Sequence, residues 1–536
     1  MSQSFRRNIF IPSFLKALVL VFLLPANFAA AFTAFKQAVA EAAAKDADIA
    51  RFYQLNNYTS LWTGGSDLDL VRRQALILAL SRVENHSLPA SRYQLDQLIE
   101  QMASANTARD FGFIDVTMTK VFLKYARDVS SGLFVPSQLS DGIQREVTRL
   151  DRAKILNDFS VSFEPQRFIN DLPPQSPEYT RLMKEKLRLE YVMKNNAWGP
   201  IVPLSKLEPG DSGERTVILR NRLIAMGFMS RSATATYDRS VEKAVQNFQI
   251  THGLQADGVA GKGTIEEINK SPEARLKSVM VAMERERWFS RANKGREVIV
   301  NLTDFTAKIF DDGKMTFRTR SVVGKNQNNR RSPEFSDIME HMIINPTWNV
   351  PRSIATKEYL PMMKKNPNAV SYLRLIDSNG RTISRENLDF SQYDTRNFPF
   401  DMKQAPGNRN ALGLVKFMFP NKHNIYLHDT PAKKLFKREV RAYSHGCIRL
   451  HQPFDFAYTL LEPQEEEPKK FFTEKLNTRR ETKVDLNRKI PVHIIYRTAF
   501  TEAKGPVQYR RDIYGRDATI WKALVNEGVV LQAHQG

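Results

Sequence analysis

Cys447 is the single cysteine in 536 residues, set in the run Ser444-His445-Gly446-Cys447-Ile448-Arg449 with His428 upstream. A thiol attacks a carbonyl only as thiolate, and an unperturbed cysteine titrates near ~8.5, so a base or a positive field must stand close to it. His428 and His445 can supply either. His428 closes the apolar, strand-like run Asn424–Leu427, which would fix its imidazole on a rigid element, while Ser444, His445 and Gly446 form the turn that carries the thiol. Without a Cβ, Gly446 permits a tight turn and leaves backbone N–H groups free to face a developing oxyanion. Arg449 adds a fixed positive charge that can lower the thiol's pKa or hold a substrate carboxylate bidentately. Tyr426 precedes His428 by two residues and faces the same side of a strand, lining the cleft or filling the core. Trp348 and Asn349, in the stretch PTWNV, divide between the same two roles.

Two other readings use these side chains. A lone cysteine can pack as a small inert hydrophobe. His428, His445, Cys447 and His451 also have zinc-ligand chemistry, but H-x-C-x3-H lacks a usual structural-zinc spacing, and ligation would remove the nucleophile. No metal and no organic cofactor is expected.

The elements that must position the thiol begin with an export signal. Arg6, Arg7 and Lys16 flank the apolar run Ala17–Leu24, followed by Pro25 and the small residues Ala29, Ala30 and Ala31, which is the pattern of a signal peptide over residues 1–31 with cleavage after Ala31. The alternative is an uncleaved anchor, since no charge occurs from Ala17 to Phe35 and a membrane span needs roughly 20 residues. Export places the chain where thiols normally pair, which makes an unpaired cysteine a candidate for reactivity. It also removes nucleic acid as the partner implied by the net charge of +21; an anionic wall polymer remains.

With 42% hydrophobic and 26% charged residues, the chain is globular and long enough for several cores. Ile114, Met118, Val121, Phe122 and Tyr125 recur at helical spacing within a helical scaffold expected over 46–197. A Pro/Gly-rich linker, 198–213, follows. Residues 214–270 read as a compact three-helix unit, its second helix capped by Asp238, and 271–294 as a connecting helix with Leu276, Val279, Met280 and Met283 inward. From 295 to 500 the apolar period changes to two, with a hairpin turn at Asp312-Gly313, and the strand signal lapses over about 352–404 in a helical, lid-like insertion. A C-terminal segment, 501–536, is expected to pack on the scaffold. The fold class is multidomain α+β.

The string AVQNFQITHGLQADGVAGKGT (Ala244–Thr264) resembles the small three-helix peptidoglycan-binding module of wall enzymes. The spacing of fifteen residues between His428 and Ser444, followed by SHGC, resembles the L,D-transpeptidase (YkuD-type) motif. The stretches NPTWNVP, QAPGNRNALGLVKFMFP, YLHDTP and DIYGRD resemble its large YcbB-like subfamily. The resemblance implies a periplasmic cysteine transpeptidase that cross-links tetrapeptide stems of peptidoglycan, donor and acceptor, 3-to-3 with release of D-alanine. It implies Cys447 as nucleophile, His428 as base, an oxyanion site formed by Cys447 N–H with Gly446 N–H or His445, acylation by carbapenems, and cooperation with other wall synthases. Membrane contact is expected only through an uncleaved N-terminal anchor. A thiol endopeptidase or carboxypeptidase, and a non-catalytic wall-binding scaffold, are the alternatives.

Overall fold

Ser66 and Thr107 each stand three residues before an aspartate, and each pair closes a capping box that starts a scaffold helix, Asp67–Ser81 (α1) and Ala108–Ser131 (α2). The computed structural model describes residues 33–289, 294–386 and 388–531, so the expected signal peptide at 1–31 lies outside the described residues. Along α2, Ile114, Met118, Phe122 and Tyr125 are buried as their spacing predicts, with Val121 half-buried against the same core. Asp115, wholly buried on this helix, accepts hydrogen bonds from the Tyr53 and Ser60 hydroxyls and from the N–H groups of Leu61, Trp62 and Thr63. One carboxylate thus holds the preceding loop against the helix. Among the described residues, no helix is long and apolar enough to cross a membrane.

The Pro/Gly-rich segment 198–213 packs against the unit that follows it. Its prolines and glycines prevent regular structure, yet Val202 and Leu207 bury in the module core, and Leu207 bridges Ala260. The module consists of helices Glu214–Ala225 (α4), Arg239–Thr251 (α5) and Lys262–Ile268 (α6), after scaffold helix Pro177–Lys194 (α3). Asp238 caps α5 by accepting the N–H groups of Ser240 and Val241.

The connecting helix, Pro272–Arg287 (α7), buries Leu276, Val279, Met280 and Met283 as expected, but it also buries Glu284, Arg285, Glu286 and Arg287. It is enclosed on all sides because it packs against α3 and carries ion pairs outward, Arg285 to Glu334 of the β domain at 2.6 Å and to Asp517 of the C-terminal segment at 3.1 Å. Buried charges persist only when paired, so this helix ties scaffold and β domain into one body.

The β domain is a nine-stranded sheet of β1 (Arg296–Asn301), β2 (Thr306–Asp311), β3 (Lys314–Gly324), β4 (Phe335–Ile344), β9 (Val415–Met418), β10 (Leu427–His428), β11 (Ala442–Ser444), β12 (Ile448–Leu450) and β13 (Thr482–Ile495), in the order β11-β3-β12-β10-β9-β4-β13-β1-β2. The first part of β3 pairs with β2 and its last residues with β12 and β11, so the sheet closes on itself. Asp312 and Gly313 both have positive φ in the β2–β3 turn, as the hairpin expectation requires.

The insertion differs from the helical expectation. A helical run covers Arg352–Ile354, a π-helical turn Ala355–Tyr359 and Leu360–Lys365, but the insertion also has a four-stranded sheet made of β5 (Trp348–Asn349), β6 (Arg374–Ile376), β7 (Thr382–Ile383) and β8 (Asp401–Gln404). Strands of two to four residues are too short to show an alternating period. The lobe has its own core, including Leu360, Met363, Phe390, Phe398 and Met402. The C-terminal segment does reach the scaffold, through Arg92–Glu527 at 2.6 Å and the Tyr509 hydroxyl on Glu185 at 2.8 Å.

Candidate active site

Strand β10 ends on His428, and β12 begins one residue after Cys447. The two pair in parallel, Leu427 opposite Ile448 and His428 opposite Arg449, and Ile448 N–H donates to the Tyr426 carbonyl at 3.1 Å. Leu427, Ile448 and Leu450 are fully buried in the domain core. Alternation therefore sends Tyr426, His428, Cys447 and Arg449 together to the opposite face. Lys416, paired with His428 across β9 and β10, joins them, its ammonium 5.9 Å from the Tyr426 ring centre.

Cys447 Sγ lies 3.6 Å from the Asn424 carbonyl. Burial pushes the thiol up to about 11, although the Tyr426 N–H and hydroxyl, Arg449 and Lys416 all favour the thiolate. Burial, reinforced by Arg449, pushes His428 down to about 3. Its Nδ1 donates to the Asp429 carbonyl, which can only accept, and main-chain hydrogen bonds to Asp429 and Leu412 both oppose the downward shift. Thiol and imidazole are thus both neutral at neutral pH. Among the described residues Cys447 is not a hydrogen-bond partner of His428. Tyr426 touches both, its hydroxyl favouring the thiolate and its ring stacked edge-on against the imidazole at 5.6 Å.

The turn before the thiol is held from three sides. Gly446 has φ +118, a conformation that L side chains rarely adopt, and an added Cβ would stand 3.1 Å from Ile425 Cδ1. Its carbonyl accepts from Ser332 Oγ at 2.6 Å; that hydroxyl takes Gly324 N–H at 3.0 Å, and the Tyr514 hydroxyl donates to the Gly324 carbonyl. Ser444 Oγ accepts Gly446 N–H at 3.1 Å and donates to the Cys447 carbonyl. This corrects the expectation that Gly446 N–H is free for an oxyanion, because the neighbouring hydroxyl occupies it. Cys447 N–H has no acceptor among the described residues.

Residues 295–473 match the L,D-transpeptidase catalytic domain (YkuD), 47–185 a scaffold domain and 212–268 a peptidoglycan binding domain. The chain carries an L,D-transpeptidase catalytic domain. A Haemophilus influenzae protein described as "Putative L,D-transpeptidase" is 33% identical over 236 residues, which are 44% of this chain and 47% of that protein. The chain thus spans about half the length of the curated relative it matches. Crystal structures of L,D-transpeptidases from Xylanimonas cellulosilytica and Stackebrandtia nassauensis each cover 55% of this chain and 98% and 97% of their own, at 14% and 18% identity. Their TM-scores are 0.16 and 0.22.

Within the L,D-transpeptidase domain, the predicted site residues divide into two groups. Tyr426, His428, Cys447 and Arg449 share the face described above. His445 turns away: its Nε2 meets Glu358 Oε1 at 2.8 Å, and the same oxygen accepts from Arg330 Nη2. His451 lies against Arg320 and the Phe436 ring, so the four candidate zinc ligands point at different partners. Trp348 is buried in the core of the insertion with Tyr359 edge-on at 6.4 Å, and Asn349 is exposed on β5. Tyr426 packs against that same core and so joins lobe to site. Arg449 is half-buried with no carboxylate partner among the described residues, and its Nε has no hydrogen-bond partner.

Sequence reasoning missed Lys416, Asp429, Glu358 and Ser332. Lys416 was readable, because it alternates with the apolar Val415 and Phe417. Asp429 accepts Leu414 N–H at 2.9 Å and Lys433 at 2.6 Å, fixing the carbonyl that orients His428. A Cβ on Gly413, which has φ +62, would overlap that carboxylate at 2.2 Å. No local pattern marks Glu358 or Ser332.

Proposed function

We propose that the protein is a peptidoglycan transpeptidase of the exported compartment that forms 3-to-3 cross-links through a thioester on Cys447. The observation that carries this reading is the shared face of β10 and β12, which holds the chain's single thiol, a neutral imidazole whose Nδ1 is engaged by the Asp429 carbonyl, and a guanidinium without a carboxylate partner among the described residues. The matched peptidoglycan-binding and L,D-transpeptidase domains support the substrate class.

Because both groups are neutral, the thiolate forms as the substrate carbonyl is attacked and not before. The thiol proton moves to His428 Nε2 as sulfur bonds to the carbonyl carbon of the third stem residue. Cys447 N–H donates to the oxyanion, and the Tyr426 hydroxyl stabilises the sulfur charge as it develops. Collapse breaks the bond to D-alanine, whose nitrogen takes the proton from the imidazolium. The side-chain amine of a second stem then attacks the thioester, returns its proton through His428, and restores the thiol. Arg449 and Lys416 hold stem carboxylates over the face.

Incubation of the protein with a purified disaccharide-tetrapeptide, read by mass spectrometry, tests this. A dimer lacking one D-alanine is the expected product. A cleaved monomer would make the protein a hydrolase, and unchanged substrate would leave a wall-binding scaffold.

A further inference from the structure

A basic cavity lies away from the thiol. About 440 Å³ opens at the seam between the module and the β domain, with Ile250 and Leu254 on the module side and the β2–β3 region, Arg441 and Arg510 on the other. Five arginines and two carboxylates line it, an excess of three positive charges. The carboxylates are already taken. Asp304 pairs with Arg510 at 2.7 Å and lies 3.8 Å from Arg318, while Glu439 pairs with Arg511 at 3.0 Å.

Two guanidiniums form no ion pair with a carboxylate among the described residues, although Asp304 attracts Arg441 at longer range. Arg441 donates only to main-chain carbonyls, those of Ser321, Asp304, Phe305 and Arg438. Arg320 donates to the Phe436 carbonyl at 3.1 Å and meets His451 Nε2 at 3.3 Å. Burial brings Arg441 down to about 10, with Asp304 opposing the shift and Arg320, Arg510 and Arg318 adding to it. Such crowding costs free energy in the empty site and favours an incoming anion.

We propose that this seam binds the carboxylates of a peptidoglycan stem, with Arg441 and Arg320 as the anion ligands and the exposed Ile250 as an apolar wall. For its ligand this rests on the transpeptidase reading above; for its chemistry it does not. Arg441 leads directly into β11 and the thiol turn, and Gln452 of the cavity wall follows β12. Five extended residues from Cys447 to Gln452 span roughly 16 Å, and an extended four-residue stem reaches about 14 Å. A wall strand held at the seam therefore lies about one stem length from Cys447, and the module and the catalytic domain grip one polymer together.

The full chain is sedimented with insoluble wall sacculi, either bearing tetrapeptide stems or stripped of stems by an amidase, at fixed ionic strength. Arg320→Gln removes one charge-assisted contact and Ile250→Glu sets a repelling carboxylate in the apolar wall, and each weakens binding to stem-bearing sacculi about tenfold. Ile250 is 56% exposed, so its substitution leaves the core intact and covers the case in which the arginine variant misfolds. Lys314→Gln removes a positive charge from the exposed hairpin and binds as the wild type does. Stripped sacculi bind weakly in every case. Wild-type affinity in both seam variants, equal binding to stripped sacculi, or displacement by inorganic phosphate would overturn the proposal. Release of D-alanine is read in parallel: binding without release removes the transpeptidase reading and keeps the seam, and release with unchanged binding does the reverse.

Discussion

Alkylation of Cys447 as pH is raised asks whether the thiol is activated before substrate arrives. With the thiol at about 11 and free cysteine near ~8.5, its thiolate fraction at pH ~7.5 is about 300-fold below that of a free thiol. The sign follows from burial: a raised pKa keeps the group neutral, so reactivity grows with hydroxide. His428, held at about 3, supplies no imidazolium above pH ~4 to reverse this. Because the chain has one cysteine, intact-mass measurement of iodoacetamide labelling reads this site alone. The rate should climb about tenfold per pH unit from pH ~6 to ~10 with no plateau. Tyr426→Phe, which deletes a hydroxyl that favours the thiolate, should move the curve to still higher pH. A plateau below pH ~8 would mean a preformed thiolate–imidazolium pair and would refute the reasoning from burial.

Arg449→Met should raise the KM for the donor stem roughly 10- to 100-fold, the range for a lost charged hydrogen bond, and should shift the alkylation curve upward because Arg449 lowers the thiol's pKa. Gly446→Ala should cost about 2 kcal/mol in unfolding free energy, since φ +118 is strained for any side chain; a thermal midpoint equal to wild type would contradict this. Glu358→Gln should weaken a partly exposed ion cluster by about 1 kcal/mol, making opening of the insertion helix about fivefold more frequent by hydrogen exchange over residues 352–365, with no change in the thiol's titration.

Much of the scaffolding was legible because it rests on local chemistry. Asp238 caps its helix, Asp312-Gly313 turns its hairpin, and the period of two places Tyr426 and His428 on one face. The rest depended on register and distance. Pairing of His428 opposite Arg449 is set by the packed sheet, and it makes Tyr426 the thiol's hydrogen-bond partner. Whether Gly446 N–H is free turns on the rotamer of Ser444. Glu358 reaches His445 across 87 residues, and Tyr514 supports Gly324 across 190. The seam exists only where Arg510 meets the end of α5, through its bond to the Thr251 carbonyl.

The central claim is that Cys447 carries the stem as a thioester. Rapid acid quench of the protein with a disaccharide-tetrapeptide and no acceptor, followed by intact-mass and peptide analysis, tests it directly. The predicted result is one adduct of the donor less D-alanine, confined to the peptide containing Cys447 and missing in Cys447→Ala. Cross-linking that survives in Cys447→Ala, or an adduct on any other residue, would contradict it.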